Sequence, residues 1–154
     1  MNNRISKYIS YAEATKSNTA IKYGIDNKPN EHQLKAMKMV ASNVFDKVRE
    51  HFGVPIYVSS FFRSKLLNTK IGGSKSSDHI DGEAIDIDAD VFGGVTNKEI
   101  FDYIKENLEF DKLIWEFGDD DNPSWVHVSY VSGNNRKIVM KATKINGRTS
   151  YLFY

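Results

Sequence analysis

At 154 residues, with 40% hydrophobic and 12% aromatic side chains, the chain has material for one domain around one buried core, not for a disordered segment. A net charge of +1 gives no basic stripe for nucleic acid. The absence of cysteine excludes disulfide scaffolds, thiolate metal sites and cysteine nucleophiles.

Met1 to Lys7 carries no apolar run, so no secretory signal is expected. No stretch of about 18 apolar residues exists to cross a membrane. Ser10 and Glu13 form the pattern of a capping box, and a short helix is expected to fade near Asn18. Ile21 to Asn30 reads as irregular. Asn30, with Gln33 in the capping position, opens the main helix. Leu34, Met37, Ala41, Val44, Val48 and Phe52 form its apolar face, and Lys35, Asp46, Lys47 and Glu50 its polar one. Gly53 and Pro55 end it.

Val54 to Phe62 is β-branched and aromatic and reads as a strand, with Arg63 at its end. Ser64 caps a short helix through Asn68, and a Gly/Ser loop leads to His79. Ala84 to Asp88 is the next strand. Ala84, Asp86 and Asp88 share one face, with Asp88 expected in solvent. A loop with two glycines precedes the Thr96–Glu99 capping box and a helix buried through Ile100, Ile104 and Leu108. Leu113 to Phe117 and Trp125 to Val131 form a hairpin. Arg136 to Thr143 and Ser150 to Tyr154 form the last strands, around the turn pair Asn146-Gly147. Helices early and strands late predict an α+β fold. The expectation is an antiparallel sheet with helices packed on one side, in a single domain over residues 1–154.

The chemistry gathers in Ser77-Asp78-His79-Ile80-Asp81-Gly82-Glu83-Ala84-Ile85-Asp86. Aspartate in a strand interior is unfavourable unless something pairs with it. Small residues at 82 and 84 allow a close backbone approach beside a cleft. His127 lies in the second hairpin strand, turned away from Val126 and Val128. Two imidazoles and a carboxylate are the donor set of an open catalytic zinc site. His32 and His51 sit in or beside the main helix and read as ordinary structural or surface histidines.

Ser77-x-His79-x-x-Gly82-x-Ala84-x-Asp86 followed by Trp125-Val126-His127 closely resembles the zinc D-alanyl-D-alanine carboxypeptidase and L-alanyl-D-glutamate endopeptidase family. That family shares its fold with the hedgehog signalling domain. Val58-Ser59-Ser60-Phe61-Phe62-Arg63-Ser64 is similar to its Ser-Gly-Tyr-Arg-Ser segment, with Phe61-Phe62 replacing Gly-Tyr. Asn68 and Gly72-Gly73 also fall in place. Ser10, Glu13, Ser17, Thr19-Ala20, Gly24-Ile25-Asp26-Asn27 and Pro29 resemble the phage-associated branch. The resemblance covers about residues 8 to 131 and leaves the strands at 136–154 outside it.

The resemblance implies Zn²⁺ held by His79, Asp86 and His127, and hydrolysis of peptidoglycan stem peptides as a carboxypeptidase or endopeptidase. It implies Arg63 on the oxyanion or a substrate carboxylate, and Ser77 and Trp125 among the substrate-binding residues. Many members carry an acidic base three residues before the second histidine, where this chain has Ser124. Glu116, in Trp115-Glu116-Phe117, is the expected base instead, with Asp121 second. For Glu116 to share a sheet face with His127, paired residue numbers across the hairpin must sum to an odd number. The alternative is a non-catalytic zinc domain that binds peptidoglycan or a protein partner. A monomer is expected, with no nucleic-acid or membrane partner. It would stay cytoplasmic until lysis or travel on a phage virion as an endolysin-like enzyme.

Overall fold

Both bonds of the Ser10–Glu13 capping box are made in the computed structural model, which describes residues 3–154. They start α1 (Tyr11–Thr15). A second helix, α2 (Asn18–Tyr23), then occupies part of the stretch expected to be irregular. Ser17 accepts from the Ala20 N–H and Gly24 closes the turn in the left-handed region at φ 64°. Those two caps were the signal for it.

Asn30 and Gln33 likewise exchange both capping bonds at the start of α3 (Glu31–Val40). The helical run continues through a π-helical segment (Ala41–Phe45) into α4 (Asp46–Phe52), and Gly53 ends it. A π segment adds to the turn and shifts the phase of the residues C-terminal to it. Asp46, placed by regular spacing on the polar face, is therefore buried. It accepts from Ser6 Oγ at 2.7 Å and from the Lys7 and Tyr8 N–H groups, which fastens the N-terminal segment to the helix.

The remaining elements are β1 (Tyr57–Ser60), α5 (Lys65–Lys70), β2 (Ala84–Asp88), α6 (Asn97–Asn107), β3 (Lys112–Glu116), β4 (Trp125–Ser129), β5 (Ile138–Ile145) and β6 (Arg148–Phe153). Six strands form one sheet in the order β1-β2-β4-β3-β5-β6. The fold is α+β, as expected. One pair departs from the antiparallel expectation: β5 runs parallel to β3. The chain leaving β4 crosses the end of β3 before turning into β5. Lys137 and Ile138 N–H groups bond to Phe110 and Asp111 carbonyls there, and Arg136 grips Asp111 with two bonds of 2.8 Å. β1 is shorter than predicted. A bulge between Val58 and Ser60 bends the chain, and Phe61 and Phe62 bury themselves beyond the strand.

One face of the sheet presents Ile85, Ile87, Leu113, Trp115, Val126 and Val128 to a core shared with the main helix and α6. Each such side chain stabilises the fold by about 1.5–3 kcal/mol on burial. The opposite face carries the polar residues, bordered by α5 and the loop before β2. Among the described residues no helix is long and apolar enough to cross a membrane.

Candidate metal centre

Strand register builds the first half of the centre. β2 and β4 pair Asp86 directly with His127, so both side chains leave the sheet on the face away from the core. His127 Nδ1 lies 2.9 Å from Asp86 Oδ1. The second half comes from the loop ahead of β2. His79 Nδ1 lies 2.6 Å from the Phe61 carbonyl oxygen, which can only accept, so Nδ1 carries the proton. Its Nε2 lone pair then faces Asp86 Oδ2 at 3.2 Å.

A bare imidazole nitrogen aimed at a carboxylate oxygen is repulsive, so a cation belongs between them: a proton shared with Asp86 in the metal-free chain, or a metal ion. The donor atoms of His79, Asp86 and His127 all lie within 4.8 Å of one another, a group that could hold a metal ion. Ligand atoms around tetrahedral zinc, at about 2.0–2.2 Å from it, stand roughly 3.4 Å apart. Two nitrogens and one carboxylate oxygen at these separations fit zinc in chemistry and in size. The Phe61 carbonyl fixes the tautomer of one ligand in the manner usual for metal-bound histidine.

The electrostatics follow from burial. Asp86 is 6% exposed. Burial alone would raise its carboxyl, but the two imidazoles outweigh that and hold it well below the usual carboxylate range. Burial pulls the His127 imidazole down. The bond to Asp86 and the nearby Asp86 and Glu116 charges outweigh it, leaving the group above its ordinary value. Arg63 is lowered by burial, against the pull of Asp86 and Glu116, and stays charged. It donates to Ser60 Oγ at 3.1 Å and Asn68 Oδ1 at 3.3 Å, with Nη2 3.5 Å from Asp86.

Glu116 is 8% exposed and lines the same cleft. The hairpin pairs Ile114 with His127 and Glu116 with Trp125, so paired numbers sum to 241, the odd register that turns Glu116 to the side of His127. Burial raises its carboxyl to about 7, moderated by His127 and Arg63 and reinforced by Asp86. The Ser124 N–H donates to the Glu116 carbonyl at 2.9 Å. Glu116 therefore stands across the hairpin from Ser124, the position where the resemblance led an acid to be expected.

The loop holding His79 is fixed at several points. The Arg63 N–H donates to the His79 carbonyl, and Ser77 Oγ accepts from the His79 N–H at 3.3 Å. Lys112 pairs with Asp78 at 3.0 Å. Gln33, besides closing the capping box, donates to the Ile80 carbonyl. Gly82 serves this packing and not the cleft, contrary to the expectation from its small size. It adopts φ 74°, and a side chain there would run into the Gln33 backbone oxygen.

Ser77, Trp125, Arg63 and Glu116 line one cleft with the three donors. Asp121 does not. It lies exposed in the β3–β4 loop, on a turn organised by Asp119. His32 and His51 are exposed, and His51 stacks on Tyr103. Asp88, expected in solvent, is half-buried and accepts from Asn97. The Phe61 carbonyl, the bracing of Arg63 by Ser60 and Asn68, and the contribution of β5 and β6 to the cleft are not apparent from the sequence. Backbone acceptors leave no mark in residue type. Asn68 and Phe61 were visible only as positions within a motif.

The sequence pattern of the family described as Peptidase M15 matches residues 7–129. No match was found among curated proteins. The chain belongs to the Peptidase M15 family, a family of zinc peptidases, and carries a His-Asp-His group able to hold the metal.

Proposed function

We propose that this Peptidase M15 member is a zinc-dependent hydrolase of peptidoglycan stem peptides, with His79, Asp86 and His127 as metal ligands and Glu116 as the base. The convergence of those three donors beside a buried Glu116 in one cleft carries the reading. Zinc, when bound, supplies a Lewis acid that makes water nucleophilic near neutral pH. Glu116 takes the proton from the attacking water and delivers it to the leaving amine, a role suited to a buried carboxyl beside the three donors. Arg63 is held by Ser60, Asn68 and Asp86, and its remaining donors stabilise the oxyanion or grip a substrate carboxylate. Ser77 and Trp125 border the cleft and contact the peptide. Lysis, or carriage on a phage particle, would bring the enzyme to the cell wall.

Purified peptidoglycan digested with the zinc-loaded and the chelated protein, with products identified by mass, tests this reading. New peptide termini only with zinc are expected. Intact peptidoglycan in both arms, from protein that retains zinc, would favour the non-catalytic alternative, which the serine at position 124 otherwise keeps alive.

A further inference from the structure

The family pattern ends at residue 129, yet the cleft does not. β5 and β6 lie wholly beyond it and extend the site's face of the sheet. The parallel register sets Ala142 beside Glu116, and the β5–β6 register sets Tyr151 beside Ala142. Trp125, Glu116, Ala142 and Tyr151 thus form one row across four strands. Ala142 is fully buried and offers only a methyl group, so nothing rises between Glu116 and Tyr151. Tyr151 is half-exposed in the same cleft as His79 and Arg63.

Cations of this cleft differ in their partners. Arg63 faces Asp86 and Lys112 is paired with Asp78. Lys144 lines the cleft two residues beyond Ala142 on the same face. Among the described residues no carboxylate lies within ion-pair distance of it. Its Nζ sits 5.9 Å from the centre of the Phe117 ring. Phe117 itself takes φ 56°, an unusual conformation for a bulky residue, and its ring lies 5.4 Å from that of Trp125. An aromatic floor with one unspent cation therefore continues the cleft past Glu116.

We infer that Lys144 and Tyr151 form a subsite for an acidic group of the peptide substrate, Lys144 binding a carboxylate and Tyr151 walling the chain that carries it. The inference rests on the peptidase reading for the nature of its ligand. Strand spacing and rise put Lys144 roughly 15 Å from the donor cluster, about four or five residues of extended peptide. The carboxylate it takes therefore lies several bonds from the cleaved one, and the cleft reads an extended peptide and not a terminal dipeptide alone.

Three synthetic pentapeptides test this: Ala-γ-D-Glu-Lys-D-Ala-D-Ala, in which the glutamyl residue is joined to Lys through its γ-carboxyl, the same peptide with its free glutamyl α-carboxylate amidated, and the same with its C-terminus amidated. Binding is measured calorimetrically to zinc-loaded Glu116→Gln protein, and cleavage with the zinc-loaded native chain. One amidated peptide is expected to bind about tenfold more weakly than the parent, the loss of a charge-assisted bond. Lys144→Ala should abolish that difference and Lys144→Arg restore most of it. Equal binding of all three, a difference that persists in Lys144→Ala, or no binding would overturn the subsite. The peptidase reading fails separately, if the peptides bind in the Lys144-dependent pattern yet remain uncut. Cutting without carboxylate dependence leaves that reading intact and removes this one. Lys144 is exposed, so its variants should fold, which circular dichroism checks.

Discussion

β2 and β4 present Asp86 and His127 as a directly paired, largely buried couple, with His79 locked onto the Phe61 carbonyl above them. β5 and β6 present Lys144 and Tyr151 on a hairpin at the sheet edge, where Tyr151, Leu152 and Phe153 are all half-exposed or more. In the middle of the sheet Asp86 and His127 have their places set by register and by each other. At the edge, side chains have register but few partners. Donors that must meet a small ion within tenths of an ångström need the first arrangement. A surface that meets substrates of varied length tolerates the second.

The largest effect should come from the middle. His79→Ala or His127→Ala should bring zinc content and peptidase activity to background while the far-UV spectrum keeps its helical signal. Native-level zinc in either variant would break the ligand assignment. Glu116→Gln should keep zinc and lower kcat by about 10²–10⁴-fold with little change in KM. If Asp121→Asn reproduces that loss and Glu116→Gln does not, the base has been misassigned.

Gly82→Ala should destabilise the protein by about 1–3 kcal/mol, since the left-handed backbone and the Gln33 oxygen both oppose a side chain. Urea unfolding measures it, and an unchanged midpoint would mean that the loop moves freely off the main helix. Phe153→Ser, at a side chain 74% exposed, should fall within about 0.5 kcal/mol of the native chain. A large loss there would show that the edge is packed against something and erase the contrast.

The pH dependence of the chelated protein divides the two carboxylates. Glu116 moves from 4.5 when unfolded to about 7 when folded, so the folded state holds the proton more tightly in that window. Stability therefore falls as pH rises from about 4.5 to 7, by about 3 kcal/mol at about 1.4 kcal/mol per tenfold in proton affinity. His127, raised above 6.5, adds a further loss as pH rises through its folded value. Asp86 works oppositely: its contribution is present above 3.8 and disappears on acidification. Denaturant midpoints at pH 5 and 7.5 should differ clearly in the native chain and less in Glu116→Gln. Equal slopes would show that Glu116 ionises freely.

Much of the middle was legible in the sequence because its residues are chemically costly where they stand. An aspartate between Ile85 and Ile87, and a histidine between two valines, mark themselves by breaking a strand's pattern. Capping residues marked three helix starts in the same way. The odd hairpin register could be posed as a condition but not solved, because strand pairing depends on loop geometry that no residue type encodes. Asp46 escaped because a π segment shifts the phase of an otherwise regular helix. Tyr151 and Lys144 escaped because their role depends on β5 lying parallel to β3, a long-range pairing without a local signature.

Titrating zinc into the chelated native chain, with His127→Ala alongside, tests the central claim most directly. One tightly bound ion per chain is expected, with proton release that grows as pH is lowered toward 6 and binding abolished in His127→Ala. No binding, or binding that survives the substitution, would contradict the account.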